Sequence, residues 1–353
     1  MHMADALLSP AVGMSMNAVG VAAIGASVAK VGKDEFDEQK IPLMGVAGAM
    51  IFAAQMINFS IPGTGSSGHI GGGILLAGLL GGVPAFLSIA AVLIIQCLFF
   101  ADGGLLALGC NIFNIGVIPC LIVYPLIFRP LLKNGIAIKR LTAASVLSVL
   151  IAAELGAFCV VLQTWLSGVS ALPFGLFSAF MLPIHFAIGL AEGFITAAIL
   201  CFIYKSKPEI IDASTAGRHP AGVPLKRLII AIAAAAILTG GVLSIFASVN
   251  PDGLEWAIKK TEDKVKGETI DVSDGAVVSD VQSGVAGDVR GAAANIQEKT
   301  AIMPDYAFTS DPENAAGISA AGLAGAASVC LLAAVAGFVI SKAKRKKREK
   351  TSV

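Results

Sequence analysis

The chain has 353 residues, 56% of them hydrophobic and 14% charged, with a formal net charge of +1 and a mean hydropathy of +0.82. Soluble proteins carry about 25% charged residues, so this composition excludes an ordinary soluble domain and reads as a polytopic, all-α integral membrane protein. A near-neutral net charge gives no basis for binding nucleic acid.

A membrane span takes about 20 apolar residues. Taken in order, the apolar runs predict helices at 8–31, 42–60, 69–82, 84–101, 104–130, 140–168 and 174–205, then two more at 226–249 and 317–341. The third and fourth are divided only by Gly81-Gly82-Val83-Pro84, and a single kinked helix over 69–101 is the alternative. Lys and Arg concentrate in 30–40, 129–140, 205–227 and the C-terminal tail, whereas 60–68, 101–104, 168–174 and 250–316 are acidic or almost free of them. Positive loops stay on the cytoplasmic side. Nine spans with the N-terminus outside make these loops alternate correctly, while eight would put 129–140 on the wrong side.

The expected architecture is a seven-helix bundle over 1–205, a polar cytoplasmic linker over 206–225, a module over 226–341 with two further transmembrane helices, and a basic cytoplasmic tail over 342–353. The location is the cell membrane, multi-pass, with the C-terminus inside. Between Val249 and Ala316 the chain carries thirteen acidic and six basic residues. This extracytoplasmic loop, 250–316, is rich in Gly, Asp, Ser and Val without clear periodicity, and such composition predicts little regular structure.

The six cysteines (Cys97, Cys110, Cys120, Cys159, Cys201, Cys330) lie in apolar runs with no Cys-x-x-Cys pair and read as packing residues. The first thirty residues lack the basic start of a signal peptide. No phosphate-binding Gly-x-x-x-x-Gly-Lys-Ser/Thr loop is present, nor a His-Glu-x-x-His or Gly-x-Ser-x-Gly motif. The chain is therefore expected to bind no ATP and to be no enzyme.

One pairing carries metal chemistry: Met1-His2 together with Ser66-Ser67-Gly68-His69. The Met1 amine and the His2 amide nitrogen close a five-membered chelate ring, and that amide with the His2 Nδ1 closes a six-membered one. His69 supplies a fourth nitrogen, and a square plane of nitrogens suits Ni(II) or Cu(II), with Co(II) allowed. If His69 begins a helix, the helix dipole favours its neutral, metal-binding form. Polar residues inside spans are costly; the candidates are Gln55, Asn58, Gln96, Asn111, Asn114, Glu154, His185 and Glu192. Gln55 and Asn58, near the outer end of the second helix, are expected with Ser66 and Ser67 to orient the ligands. His185 and Glu192, two helical turns apart, are expected to serve structural hydrogen bonds. Small residues at four-residue spacing, Ala18, Ala22 and Ala26, offer a face for close helix approach.

Met1-His2, Leu8-Ser9-Pro10, Gln55-Met56-Ile57-Asn58-Phe59, Ser67-Gly68-His69 and Asp102-Gly103-Gly104-Leu105-Leu106-Ala107-Leu108-Gly109 together resemble the substrate-binding membrane component of nickel/cobalt energy-coupling-factor transporters (CbiM/NikM type). The resemblance spans roughly 1–205. Pro251-Asp252-Gly253-Leu254-Glu255 resembles the PDGLE motif of the small accessory component, fused here in one chain. One departure is Ala6 after Asp5, where the family has glycine. The resemblance implies Ni2+ or Co2+ as transported substrate, bound at Met1, His2 and His69. It also implies a transmembrane coupling protein, docked at Ala18, Ala22 and Ala26, and two ATPase subunits as partners. A secondary divalent-metal permease is the first alternative, although it would normally show charged relays and internal repeats. An integral-membrane metalloenzyme is the second.

Overall fold

The computed structural model describes residues 2–33, 40–217, 225–268, 285–308 and 314–351. Helix α1 (Pro10–Lys33) and helix α2 (Lys40–Gln55) lead into an antiparallel hairpin of β1 (Phe59–Ile61) and β2 (Ser66–Gly68), with Phe59 opposite Gly68 and Ile61 opposite Ser66. The hairpin replaces the end of the expected 42–60 helix. Its turn uses Gly63 and Gly65, both at positive φ (77° and 74°), a conformation that costs other residues energy.

The expected 69–82 helix is shorter than its apolar run. Helix α3 (Gly73–Leu80) has eight residues, all buried, and His69 lies four residues before it, in a non-helical stretch that ends at Gly72 (φ 78°). Irregular backbone at membrane depth survives only where protein satisfies its polar groups. Here Gln55 Nε2 donates to the Gly71 carbonyl (2.9 Å) and the Gly72 N–H donates to Glu192 Oε1 (2.8 Å). The chain then turns at Gly81 (φ 89°) into helix α4 (Gly82–Phe100), which packs on α3. The 69–101 region is thus two helices.

Helix α5 (Leu108–Leu132) carries Pro119 and Pro125 within a wider π-wound stretch, Ile112–Phe128. The missing proline N–H groups accompany this change of winding. Helices α6 (Ile138–Ser167) and α7 (Phe174–Ser206) form a long pair. Part of the predicted linker is a packed helix, α8 (Pro208–Ala216), with Ile210, Ile211 and Ser214 buried and the Ser214 hydroxyl donating to the Gly78 carbonyl. Helix α9 (Lys226–Gly241) begins the C-terminal module.

The loop expected to lack regular structure contains α10 (Gly253–Glu268) and α11 (Val285–Thr300), and α12 (Ala315–Thr351) ends the chain. The missed signal lies in the PDGLE motif itself. The Glu255 N–H donates to Asp252 Oδ1 (2.8 Å) while the Asp252 N–H donates to Glu255 Oε2 (3.2 Å), a reciprocal capping box that starts a helix.

Among the described residues, six helical segments are long and apolar enough to cross a membrane, within α1, α4, α5, α6, α7 and α12, and Ile41–Gln55 is apolar but shorter. Around them, Val21, Leu126 and Phe202 are about 70% exposed, as suits lipid-facing side chains. The C-terminal module docks on α2: α9 and α12 approach closely at Gly240 and Gly322, and the Phe52 ring of α2 occupies the space beside Gly325 of α12 that a Cβ would fill.

Candidate metal centre

The segment before α1 is tied into the bundle by main-chain bonds to polar side chains. The Met3 N–H donates to Asn111 Oδ1 (2.8 Å), Asn111 Nδ2 donates to the Met3 carbonyl (3.2 Å), and the Gly104 N–H reaches the same carbonyl (2.9 Å). Asp5 Oδ1 accepts the Ala107 N–H (2.9 Å). Gly104 is needed because any Cβ there would strike Asp5. The Asp102–Gly109 motif is therefore a cradle for the terminal segment, and Asn111, visible in the sequence as a polar residue in a span, is its anchor.

The His2 and His69 rings are stacked, with centroids 5.2 Å apart and planes 7° from parallel. His2 Nδ1 lies 3.2 Å from Asp102 Oδ1, and the His2 side chain is 8% exposed. Among the described residues, the buried His2 Nε2 has no hydrogen-bond partner. His69 Nδ1 lies 3.1 Å from the Ile70 carbonyl. Burial is the main cause that pushes the His69 imidazole down to about 3, with His2 acting in the same direction; since His69 precedes α3 rather than starting it, burial takes the place of the helix-dipole argument. A neutral ring keeps a lone pair for a metal. Met1, the third expected ligand, lies outside the described residues.

Asp102 follows α4 at the turn made by Ala101 (φ 56°). Burial would raise its carboxyl, but the charge and hydrogen bond of His2, followed by the Tyr306 hydroxyl, hold it below the usual carboxylate range. Neither Asp102 nor Tyr306 is singled out by the sequence as a site residue; their roles depend on an approach across some two hundred positions.

His2, His69, Gln55, Asn58, Asp102 and Asp252 line one chamber of about 670 Å³. Gln55 also accepts from Gln96 Nε2 (2.8 Å), so its side chain is committed to Gly71 and Gln96. Asn58 Oδ1 is buried with no hydrogen-bond partner among the described residues. Ser66 and Ser67 face the PDGLE motif: the Ser67 N–H donates to the Pro251 carbonyl (2.8 Å), Ser67 Oγ to the Asn250 carbonyl (2.8 Å) and Ser66 Oγ to the Ser67 carbonyl (3.1 Å). Trp256 Nε1 donates to the Thr64 carbonyl (2.9 Å). The start of α10 thus braces the hairpin that carries His69. Gly253 has no room for a side chain beside His185, and Leu254 is buried.

His185 Nδ1 lies 2.9 Å from the Met181 carbonyl and Glu192 holds Gly72, both at a small cavity of about 50 Å³ under His69. Among the described residues no three His, Cys, Asp or Glu side chains converge to hold a metal. Two imidazoles are present, so a four-coordinate ion here would take its other donors from main-chain groups, the lining carboxylates or water. Ala18, Ala22 and Ala26 are exposed on α1, whereas Gly13 and Gly20 of the same helix pack against Leu106 and Gly109.

A helical bundle with apolar spans and two stacked imidazoles beside carboxylates in one chamber has the groups a membrane protein needs to handle a metal ion. Residues 2–210 match the family model described as the cobalt uptake substrate-specific transmembrane region (CbiM), and residues 226–342 match the PDGLE domain. The chain belongs to this cobalt-uptake family and carries the PDGLE domain fused C-terminally. It is 37% identical over 213 residues to a metal transport protein of Haloquadratum walsbyi, covering 60% of this chain and 93% of the relative. It is 31% identical over 235 residues to the fused nickel transport protein NikMN of Rhodobacter capsulatus, covering 62% of this chain and 66% of that one. A crystal structure of a transition metal transporter superposes with a TM-score of 0.52 at 28% identity, over 58% of this chain and 93% of its own. Family and relatives are metal transport proteins and not enzymes, and this chain is a multi-pass nickel/cobalt transport component of the CbiM/NikM type.

Proposed function

We propose that the chain is the substrate-capture subunit of an ATP-driven nickel/cobalt uptake system. It takes the divalent ion from outside through the Met1 amine, the His2 amide and Nδ1, and His69. It releases the ion inward when two ATPase subunits act through a coupling protein docked on the Ala18, Ala22 and Ala26 face. Residues 1–205 form the capture module, a bundle of seven crossings, and 226–341 form the accessory module with two more; the N-terminus is outside and the tail inside. The observation that carries this reading is the stacking of His2 on His69, 5.2 Å between ring centroids, in a chamber where, among the described residues, no three ligating side chains converge. The exposed small-residue face of α1 supports the docking surface.

The test is metal binding by the purified full chain with its own N-terminus. Ni2+ or Co2+ is expected to bind at one ion per chain, and His2→Ala and His69→Ala are each expected to abolish tight binding while the protein stays folded. Unchanged affinity in either variant overturns the assignment of the site.

A further inference from the structure

We propose that Asp102 is the counter-ion of the metal site and that Tyr306, reaching over from the PDGLE module, holds it in place, so that the capture site is complete only when the C-terminal module is docked. The inference rests on the proposed chelate at His2 and His69.

The geometry is a chain of two contacts. Asp102 Oδ1 lies 3.2 Å from His2 Nδ1, the nitrogen that the chelate uses. The other oxygen, Oδ2, accepts the Tyr306 hydroxyl at 2.5 Å. Tyr306 itself is fixed from several sides. Its ring stacks on Phe100 with centroids 4.9 Å apart and planes 16° from parallel, and Phe52 meets its edge. The Ile302 and Met303 N–H groups both bond the Phe99 carbonyl. Asp305 and Tyr306 are consecutive non-glycine residues at positive φ (52° and 60°), a strained conformation that persists only where the surroundings dictate it.

The charges determine the direction of the effect. In the metal-free protein the partner of Asp102 Oδ1 is a single imidazole. A divalent ion chelated by His2 with a deprotonated amide leaves a net charge of +1 beside a largely buried ring, where attraction to a nearby carboxylate is stronger than in open water. Asp102 therefore favours the loaded site over the empty one. Loading also removes the Nδ1 proton donor from Asp102, because that nitrogen turns to the ion. A carboxylate only a quarter exposed is less well satisfied when it loses a donor, and the Tyr306 hydroxyl is the donor that remains. Tyr306 is thus a positioning residue, acting on the ion through Asp102.

The experiment is Ni2+ titration of the full chain and of Asp102→Asn, Asp102→Glu, Tyr306→Phe and the Asp102→Asn/Tyr306→Phe double variant, with the melting temperature of each metal-free protein. Asp102→Asn is expected to weaken binding about tenfold, Tyr306→Phe about threefold, and Asp102→Glu to restore most of the loss because it keeps the charge. The double variant is expected to bind no more weakly than Asp102→Asn alone, since coupled residues do not act additively. A structural role would instead lower the metal-free melting temperature and give independent losses in the double variant. Either that additivity, or unchanged or tighter binding in Tyr306→Phe, overturns the proposal. His2→Ala serves as the control for the underlying site: if it binds as the parent does, the chelate reading fails, whereas loss in His2→Ala with parental binding in Asp102→Asn sinks this inference alone.

Discussion

At the scale of single residues, the terminal chelate makes a sharper test than removal of its histidines. Placing one alanine between Met1 and His2 keeps every histidine but adds a second backbone amide to the chelate. Amine, two amides and imidazole then fill a square plane by themselves, so His69 is no longer required. The insertion is expected to retain ion binding but lose its dependence on His69 and its uptake, measured by titration in the His69→Ala background and by accumulation in cells. Parental dependence on His69 would contradict the planar four-nitrogen arrangement.

His69 also carries a pH signature. Its folded imidazole is pushed down to about 3 by burial, against an ordinary value of about 6.5. Between those values the unfolded chain binds the proton and the folded chain does not, so stability rises with pH through that window and falls as the solution is acidified. Melting temperatures of the metal-free protein from pH 7 to pH 4 are expected to decline less steeply in His69→Gln than in the parent. Equal slopes would show that the ring is as wet as in the unfolded chain.

Single elements matter most where backbone replaces helix. The cradle at Gly103 and Gly104 holds the terminal segment because Gly104 lets the Asp5 carboxylate close on the loop. Gly104→Ala introduces a methyl where Asp5 sits, and overpacking of this kind costs about 1–3 kcal/mol. The strain is most cheaply relieved by expelling the terminal segment. Metal binding is expected to drop at least tenfold with the melting temperature nearly unchanged; a large fall in melting temperature with parental affinity would place the strain in the bundle instead. The hairpin obeys the same logic from the other side, since Trp256 and the Pro251 carbonyl hold it.

For the whole molecule, orientation and energy supply are the open quantities that charge and motif content address. Single cysteines at Asn134, in the basic loop after α5, and Glu298, on α11, both exposed, are expected to label from opposite faces of the membrane in a cysteine-free background. Labelling from one face would refute nine crossings with an outside N-terminus. Because the sequence has no phosphate-binding loop, cells producing this chain without partner ATPases are expected to accumulate little nickel or cobalt. Strong uptake by the chain alone in vesicles would favour a secondary permease.

What the sequence by itself determined follows from local chemistry. Apolar runs announce helices, because a chain in lipid must satisfy its own backbone, and the Met-His start, His69 and the PDGLE motif are recognisable because chelate rings and motifs are built from neighbours. The helix that opens the acidic loop was missed, although Asp252 and Glu255 left a local signal for it in their capping pair. Three-dimensional packing decided the rest. Apolarity alone cannot show that 69–72 is non-helical, since that depends on Gln55 and Glu192 arriving from other helices to take the place of main-chain partners. Nor does any local pattern link His2 to Asp102 and Asp102 to Tyr306, separated by 100 and 204 positions. Each of these contacts is worth making only once folding has removed the water that would otherwise satisfy the same groups, and burial is a property of the tertiary structure.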